Sequence, residues 1–242
     1  DRFVKIRHSI HENPELGFSE VQTSLLVAGL LREWGYDVYT GLGKTGVVAV
    51  LKHGDSKRSI GLRAHMDALP NTEETHLPYA SKTPGKMHAC GHDGHTVMLL
   101  AGARSLASRR RFNGTVNLIF QPAEETLSGA PTMMNDGLFD RFPCDAIYAL
   151  HNAAGVPAGR FVVASGIVLP SSDRVQIRII GVGGHGAMPH RAKDPVPAAA
   201  EIVMALQSVV ARNVPAGDPA VITVGVLRAG EAENVIPASA EI

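Results

Sequence analysis

Four short segments are rich in histidine, cysteine or acidic side chains, the groups that proteins use to bind transition metals and to move protons. They are HACGHDGH at residues 88–95, His65 with Asp67, Glu124 with Glu125, and His151 with Asn152. A thiolate beside imidazoles is a borderline-soft donor set, which favours Zn²⁺ or another late first-row ion over Mg²⁺ or Ca²⁺. The residue types therefore predict a metal site.

The spacing within two of these segments is compatible with metal binding but does not require it. Cys90 and His92 are two residues apart, so an extended chain points both side chains to one side, and Gly91 lets the backbone bend around an ion. The same pattern also fits an ordinary buried cysteine beside a surface histidine. Glu124 and Glu125 cannot point the same way, so one could bind metal while the other acts as a general base, or both could lie in a solvated turn.

His65 and Asp67 are also two residues apart. An aspartate near a metal-binding histidine commonly fixes the tautomer and the orientation of its imidazole. The alternative is a histidine at the end of a strand that makes only a loop hydrogen bond.

The predicted elements bring the four segments together. Apolar runs at 60–64, 115–120 and 146–150 are typical of strands covered on both faces, and each is followed by one of the segments. Helical patterns at 96–106 and 131–138 lie between them, and the cysteine-containing segment precedes the first. Strands alternating with helices predict an α/β fold, in which the carboxyl ends of parallel strands meet at one edge. Convergence at this edge favours the metal site over the alternatives.

The pattern also predicts two domains, 1–170 and 171–242. The first begins with two helices around a turn at Asn13 and Pro14, followed by a strand at 47–51, and it carries the four segments. The second is expected to be a smaller α+β unit whose closing element is missing. Its predicted elements are strands at 175–179 and 221–227, a helix at 196–210, and the start of a further strand at 238–242.

The composition excludes several classes of protein. The 242 residues carry 23 Lys and Arg against 23 Asp and Glu, so the chain has no basic excess for nucleic acid. We expect a soluble chain with no membrane partner, because no apolar run is long enough to span a bilayer and the N-terminal residues do not resemble a signal peptide. Two cysteines among 242 residues are too few for a disulfide framework, which favours a cytoplasmic location. The glycine-rich stretches 41–46 and 181–186 are interpreted as turns, since neither is followed at once by a helix.

Motifs along nearly the whole chain resemble the N-acyl-amino-acid amidohydrolases, which include hippurate hydrolases and hydrolases of indole-acetyl amino acids. This family belongs to the aminoacylase and carboxypeptidase G group of metallopeptidases. The matching stretches are GLRAHMDALP at 61–70, GKMHACGHDGHT at 85–96, QPAEE at 121–125, LHN at 150–152, GVGGHGAMPH at 181–190, DPVPAAA at 194–200 and NVIP at 234–237.

The resemblance implies a zinc-peptidase-like catalytic domain, with a mixed sheet flanked by helices, and a smaller ferredoxin-like lid domain that forms a homodimer or a higher oligomer. It implies hydrolysis of the amide bond of N-acyl amino acids with two divalent ions per subunit, Zn²⁺ or Mn²⁺ in the first place and Co²⁺ or Ni²⁺ as alternatives. The implied site comprises Cys90, His92, Glu125 and His151 as metal ligands, Glu124 as general base, Asp67 as a support behind the site, His185 as a lid residue that stabilises the oxyanion, and Asn234 as a lid residue near the substrate.

The sequence departs from the family pattern in two ways. The family most often has aspartate at the position of His65, whereas the wider group of metallopeptidases has a ligand histidine there. His65 is therefore either an additional ligand or a neighbour of the site. Family members are also longer and supply one more ligand histidine near the C-terminus, so we expect this chain to be either a fragment or a truncated protein.

Three other functions compete with this interpretation. A carboxypeptidase or dipeptidase could use the same scaffold and differ only in the substrate that its pocket accepts. A truncated homologue could bind metal without catalysis. A nucleotide-binding oxidoreductase is the third alternative, and it rests only on the two glycine-rich stretches.

Overall fold

The structure is a computed structural model that describes residues 2–163, 165–166 and 171–242. These residues form two compact units, Asp1–Val156 and Pro157–Ile242. The predicted domain boundary after residue 170 falls beside 167–170, which lie outside the described residues, so it stays a prediction. Within the described ranges, every helix is too short or too polar to cross a membrane.

A five-stranded mixed sheet forms the centre of the first unit. Its strands are β1 (Asp37–Leu42), β2 (Gly46–His53), β3 (Ser59–His65), β4 (Gly114–Gln121) and β5 (Ala146–Ala149). They are arranged in the order β1, β2, β4, β3, β5. The hairpin strand β2 pairs antiparallel with β1 and β4, whereas β3 lies parallel to both β4 and β5. The three parallel strands therefore end at the same edge of the sheet.

Helices cover both faces of this sheet, as the α/β prediction requires. They are α1 (Arg2–Glu12), α2 (Val21–Glu33), α3 (His92–Arg109), α4 (Gly129–Asn135) and α5 (Leu138–Arg141). Because successive side chains of a strand point to opposite faces, Phe120 packs in one apolar core with Leu31 and Leu100, and Ile119 packs in another with Met133. The predicted mixed sheet flanked by helices is confirmed.

The sheet differs from the prediction at both of its edges. The prediction did not include β1, in which Asp37 and Thr40 interrupt the apolar pattern and most residues are exposed. We predicted β5 to be covered on both faces, but it is the edge strand beside β3, and Tyr148 is 61% exposed. Edge strands bury fewer side chains, so their composition is a weaker signal than that of central strands.

The second unit contains two small antiparallel sheets and one long helix. Strands β6 (Arg178–Ile180), β8 (Arg228–Ala229) and β10 (Ser239–Glu241) form one sheet with β10 in the middle, and β7 (Gly184–His185) pairs with β9 (Val235–Ile236). Helix α6 (Pro195–Asn213) contacts β6 and β10. The carboxylate of Asp194 caps this helix by accepting a hydrogen bond from the main-chain N–H of Val196 at 2.9 Å.

The predicted helix at 196–210 is present with one to three more residues at its ends. The strand predicted at 221–227 is wrong: those residues belong to no strand, and only Arg228 and Ala229, which follow them, join the sheet. An alternating apolar pattern indicates a strand only where a partner strand is available.

Candidate metal centre

The parallel strands bring three of the four predicted segments to one edge of the sheet. His65, the last residue of β3, lies opposite Gln121, the last residue of β4, and the N–H of Met66 donates to the Gln121 carbonyl at 3.0 Å. Strand β5 ends at Ala149, two residues before His151. The chain that follows each strand therefore enters the same region, as the order of elements predicted.

The fourth segment reaches this edge because α3 begins at His92. The sequence pattern predicted a later start, near Thr96. Gly91 precedes the helix with φ +84°, a left-handed conformation that residues other than glycine rarely adopt. A Cβ atom at this position would also lie 2.7 Å from Oδ1 of Asn152. Glycine is therefore required for the loop to enter the helix beside Asn152.

Cys90, His92 and Glu125 form a first group of potential ligands, whose ligand atoms all lie within 4.8 Å of one another. The imidazole of His92 is fully buried, and its Nδ1 lies 2.9 Å from the Asp67 carbonyl and 3.1 Å from Asp67 Oδ1. Since both partners are acceptors, Nδ1 carries the proton and Nε2 is free to bind an ion. Nε2 lies 3.7 Å from Oε2 of Glu124 and 3.8 Å from Oε1 of Glu125.

Buried polar atoms without partners show that a divalent ion suits this group. Nε2 of His92 and Oε1 of Glu125 are both buried and have no hydrogen-bond partner among the described residues. Such atoms are costly unless something satisfies them. Imidazole nitrogen, carboxylate oxygen and the neighbouring thiolate of Cys90 are together a donor set that late first-row ions accept.

A second group consists of four histidines whose ligand atoms also lie within 4.8 Å of one another: His65, His92, His95 and His151. The rings of His65 and His92 are 4.7 Å apart, and those of His95 and His151 are 4.4 Å apart. Nδ1 of His151 lies 2.8 Å from the Asn152 carbonyl and so donates to it, which leaves Nε2 3.6 Å from Sγ of Cys90. The two groups are therefore adjacent and share His92.

Asp67 connects two of the predicted ligands. Besides its contacts with His92, its Oδ2 accepts a hydrogen bond from the main-chain N–H of Glu125 at 2.9 Å. Burial acts to raise the pKa of this carboxyl, but the hydrogen bonds from His92 and Glu125 outweigh burial and lower it. Asp67 is thus a buried anion that contacts both residues, and its role as a support of the site stays a prediction.

Burial controls the protonation of the other groups in the site. It lowers the pKa of His65 to about 3 and that of His95 to about 4, so both imidazoles are neutral and have a lone pair available near pH 7. Burial, together with Glu125 and Glu124, raises the pKa of the Cys90 thiol to about 12. A cation beside the sulfur reverses this effect, because it stabilises the thiolate.

The turn that carries Glu124 and Glu125 is held by a buried carboxylate from a distant part of the chain. Oε1 of Glu20 accepts from the main-chain N–H of Ala123 at 2.8 Å, and Oε2 accepts from the Thr45 hydroxyl at 2.6 Å. Ala123 has φ +48°, in the left-handed region, and a Cβ on Gly17 would lie 3.0 Å from its Cα. Glu20 and Gly17 therefore fix the backbone of this turn.

Replacing Glu20 with leucine is expected to lower the free energy of unfolding by about 1–3 kcal/mol, because the buried N–H of Ala123 and hydroxyl of Thr45 lose their acceptor. Glutamine at the same position is the control, since its oxygen can accept from Ala123 and its amide can donate to the Thr45 hydroxyl. Urea unfolding of both variants measures the difference. Equal stability of Glu20→Leu and Glu20→Gln would contradict this assignment.

A second polar cluster holds the beginning of α3 against α1. Oδ2 of the buried Asp93 accepts from Nε of Arg7 at 2.6 Å and lies 2.8 Å from Nδ1 of His11. His88 lies behind this cluster, 3% exposed, and the structure describes no partner for either of its ring nitrogens. These contacts fix the helix end that carries His92.

The stability of the metal-free protein is expected to depend on pH through His88, because burial lowers the pKa of this imidazole from 6.5 to about 4. The imidazole of His88 takes up a proton near pH 6.5 in the unfolded chain but only near pH 4 in the folded chain. The stability that depends on its neutral form is therefore complete above pH 6.5 and is lost as the pH falls towards 4. The expected loss is about 2–3 kcal/mol. Urea unfolding between pH 7 and 4.5 in the presence of a chelator should show that the free energy of unfolding falls more steeply for wild type than for His88→Asn. Parallel pH profiles of the two proteins would contradict the prediction.

The second unit contains the two residues that the resemblance assigned to the lid. His185 is the last residue of β7, and its Nδ1 accepts from the main-chain N–H of Ala187 at 3.1 Å, so the neutral ring carries its proton on Nε2. The carbonyl of Asn234 accepts from the N–H of Gly186 at 2.8 Å, and a Cβ on Gly186 would lie 2.9 Å from the same oxygen. His185 and Asn234 therefore lie on neighbouring chain segments, and their roles stay predictions.

The comparisons with known proteins identify the family of this chain. The profile of peptidase family M20/M25/M40 matches residues 61–239, which is more than half of the chain. The chain belongs to this family. The resemblance found in the sequence is thus confirmed at the level of the M20 family, and so is the mixed α/β fold.

Two curated M20 relatives match nearly the whole chain. The hippurate hydrolase of Campylobacter jejuni subsp. jejuni is 54% identical over 240 residues, which are 99% of this chain and 62% of that protein. The N-acetylcysteine deacetylase of Bacillus subtilis is 41% identical over 243 residues, which are 100% of this chain and 63% of that protein. The chain therefore spans less than two thirds of the length of these relatives.

A solved structure shares the fold of this M20 chain. The YXEP protein of Bacillus subtilis, described as a dinuclear metal-binding peptidase from the M20 family, superposes with a TM-score of 0.70. Its sequence is 36% identical, and the match covers 99% of this chain and 62% of that one.

Sequence reasoning missed three residues that form or support the candidate metal centre. His95 is three residues after His92, which places both on one face of a helix, but this signal depends on the helix beginning at His92. Asn152 was noted only as a neighbour of His151, whereas it contacts both His151 and His95. Glu20 is 103 residues from Ala123, and in the sequence it looks like any acidic residue that precedes a helix.

Proposed function

We propose that the protein hydrolyses the amide bond of N-acyl amino acids and releases a carboxylic acid and a free amino acid, using two divalent metal ions. The observation that carries this proposal is the buried pair of unpartnered ligand atoms, Nε2 of His92 and Oε1 of Glu125, beside a second carboxylate on Glu124. The names of the two curated relatives, a hippurate hydrolase and an N-acetylcysteine deacetylase, support the substrate class.

Cys90, His92, Glu125 and His151 are the proposed metal ligands, and His65 is a candidate for a further one. Divalent ions bound there supply Lewis acidity, which polarises an amide carbonyl and makes water more acidic. Thiolate and imidazole favour Zn²⁺, but carboxylate and imidazole also accept Mn²⁺, Co²⁺ or Ni²⁺.

Glu124 is the proposed general base. It is 30% exposed, whereas the adjacent Glu125 is 19% exposed, so Glu124 is the more accessible of the two to water and substrate. Its carboxylate takes a proton from the attacking water and passes that proton to the leaving amine, and Glu125 remains a ligand. Both carboxylates approach Nε2 of His92, against the expectation that adjacent side chains point apart, and the proposed division of roles rests on this difference in exposure and on Asp67, which holds the N–H of Glu125.

His185 and Asn234 are proposed to act on the substrate from the second unit. The hydrogen bond from Ala187 to Nδ1 leaves Nε2–H of His185 as a donor, which is what stabilisation of an oxyanion requires. Asn234 is proposed to contact the substrate nearby. We also propose that this unit mediates a homodimer, as the family resemblance implies.

The test combines metal analysis with hydrolysis assays on one preparation. We expect about two ions per chain and hydrolysis of N-acetyl-methionine and hippurate that stops with chelator and returns when metal is added. Faster hydrolysis of an unblocked dipeptide than of either acyl amino acid would favour the carboxypeptidase or dipeptidase alternative. Bound metal without hydrolysis of any amide would instead indicate a metal-binding homologue that lacks catalysis.

A further inference from the structure

Arg63 is a partly buried cation that has no acidic partner. It lies on β3 two residues before His65, so the two side chains point to the same face of the sheet. Its Nε donates to Oε1 of Gln121 at 2.7 Å, and within the part of the chain that the structure describes the guanidinium makes no other hydrogen bond and no ion pair. A charge removed from water is costly unless an opposite charge accompanies it. Arg63 is therefore suited to bind an anion.

The nearby carboxylate of Glu124 does not pair directly with Arg63. Burial lowers the pKa of the Arg63 guanidinium, and the negative charge of Glu124 acts in the opposite direction. The two side chains are thus close enough to interact electrostatically, but Oε2 of Glu124 lies beside Nε2 of His92, at 3.7 Å. The two Nη groups of Arg63 therefore remain available near the proposed general base.

An apolar cavity of about 260 Å³ adjoins Arg63. Arg63 and Gln121 lie in its wall where the strands end, and apolar side chains line much of the rest: Ile119, Met133, Met134, Leu138, Phe139 and Ile147. Phe139 and Ile147 are 40% and 42% exposed, so the cavity opens to solvent. Sites for small molecules commonly combine apolar walls with a few polar groups that fix the orientation of the ligand. This combination suits a ligand in which a carboxylate and an apolar side chain are attached to the same carbon.

We propose that Arg63 binds the free carboxylate of an N-acyl amino acid and that the adjacent cavity accepts its apolar side chain. The proposal rests on the proposed function and names the part of the substrate that determines specificity. A guanidinium can donate two parallel hydrogen bonds to a carboxylate, whereas a carboxamide carries no charge and offers one oxygen. For a given acyl group, derivatives of methionine or leucine are therefore preferred over those of glycine and over the corresponding amides.

Calorimetric titration of the metal-free chain, with chelator present, tests both contacts without turnover. The ligands are N-acetyl-methionine, its amide and N-acetylglycine. Wild type is expected to bind N-acetyl-methionine at least about tenfold more tightly than the amide, because the amide lacks the charge that strengthens the hydrogen bonds to Arg63. It is expected to bind N-acetylglycine about tenfold more weakly than N-acetyl-methionine, because less apolar surface is buried.

Two substitutions separate the contacts. Arg63→Met should bind N-acetyl-methionine and its amide equally but keep the preference for methionine over glycine. Ala130→Leu, which fills the cavity from α4, should lose the preference for methionine and keep that for the carboxylate. Arg58→Met is the matched control, because Arg58 is an exposed arginine directly before β3, and it should leave both preferences unchanged.

Arg63→Lys serves in case Arg63→Met does not fold, which circular dichroism shows. Lysine keeps the charge but not the paired N–H groups, so its preference for the carboxylate should be weaker than that of wild type. A wild-type preference for the carboxylate in either variant would overturn the role of Arg63. An unchanged preference for methionine in Ala130→Leu, or a wild type that does not distinguish the three ligands, would overturn the role of the cavity.

These binding measurements are independent of the proposed reaction. If the metal-loaded protein hydrolyses N-acyl amino acids while Arg63→Met keeps the wild-type preference, only the binding role of Arg63 is wrong. If the preferences change as expected but no amide is hydrolysed, only the proposed reaction is wrong.

Discussion

Replacing Glu124 with glutamine is expected to lower kcat for N-acetyl-methionine and for hippurate by about 10²–10⁴-fold. The amide nitrogen cannot accept a proton from water, whereas the side chain keeps its size and its position near Nε2 of His92. Metal content should stay at the wild-type value, because the carboxylate proposed as a metal ligand is that of Glu125. Steady-state kinetics and elemental analysis on the same preparation measure both quantities.

Glu74→Gln is the control for this substitution, since Glu74 is an exposed glutamate of the same unit and lies outside the groups of potential ligands. It should leave both kcat and metal content unchanged. Wild-type turnover in Glu124→Gln would remove Glu124 from the reaction. Loss of metal along with turnover would make it a ligand and not the base.

The second large effect is expected at Asp67, which does not itself belong to either group of potential ligands. Asparagine at this position should weaken metal binding by about 10–100-fold. The wild-type carboxylate accepts from both Nδ1 of His92 and the N–H of Glu125. An asparagine has only one side-chain oxygen, so either the N–H of Glu125 loses its acceptor or Nδ1 of His92 keeps only the main-chain carbonyl of residue 67, and one ligand is held less firmly.

Competition with a chromophoric chelator measures the metal affinity, and hydrolysis at saturating metal shows how much turnover returns. Asp37→Asn, on the exposed part of β1, is the control for loss of a carboxylate. If Asp67→Asn binds metal as tightly as wild type, the hydrogen bonds of Asp67 do not support the centre. If turnover stays low at saturating metal, Asp67 also affects the geometry of the reaction.

The fold could be predicted where burial leaves a pattern in the sequence. Strands β2, β3 and β4 lie in the interior of the sheet, and the apolar residues that predicted them form its two cores. The edge strand β1 was not predicted, and the strand predicted at 221–227 was wrong, because pairing depends on neighbours that a local window does not contain.

The candidate site was predictable to a similar degree. The motif residues Cys90, His92 and Glu125 do converge, because the parallel strands carry their segments to one edge. The residues that hold them were not predictable, since the contacts of Glu20 with Ala123 and of Arg7 with Asp93 span 103 and 86 residues of sequence. Nothing in a local pattern distinguishes such a carboxylate or guanidinium from one on the surface.

Binding of the proposed ions to the unpartnered buried nitrogens and oxygens of the centre would link the stability of the first unit to the concentration of free metal. An ion held by His92 and Glu125 as proposed would bind only the folded chain, so it would shift the unfolding equilibrium by mass action. An ion at about 100 times its dissociation constant adds about 2.7 kcal/mol to the free energy of unfolding. Without metal the chain would keep only its lower, metal-free stability, so a larger fraction of it would be unfolded at equilibrium.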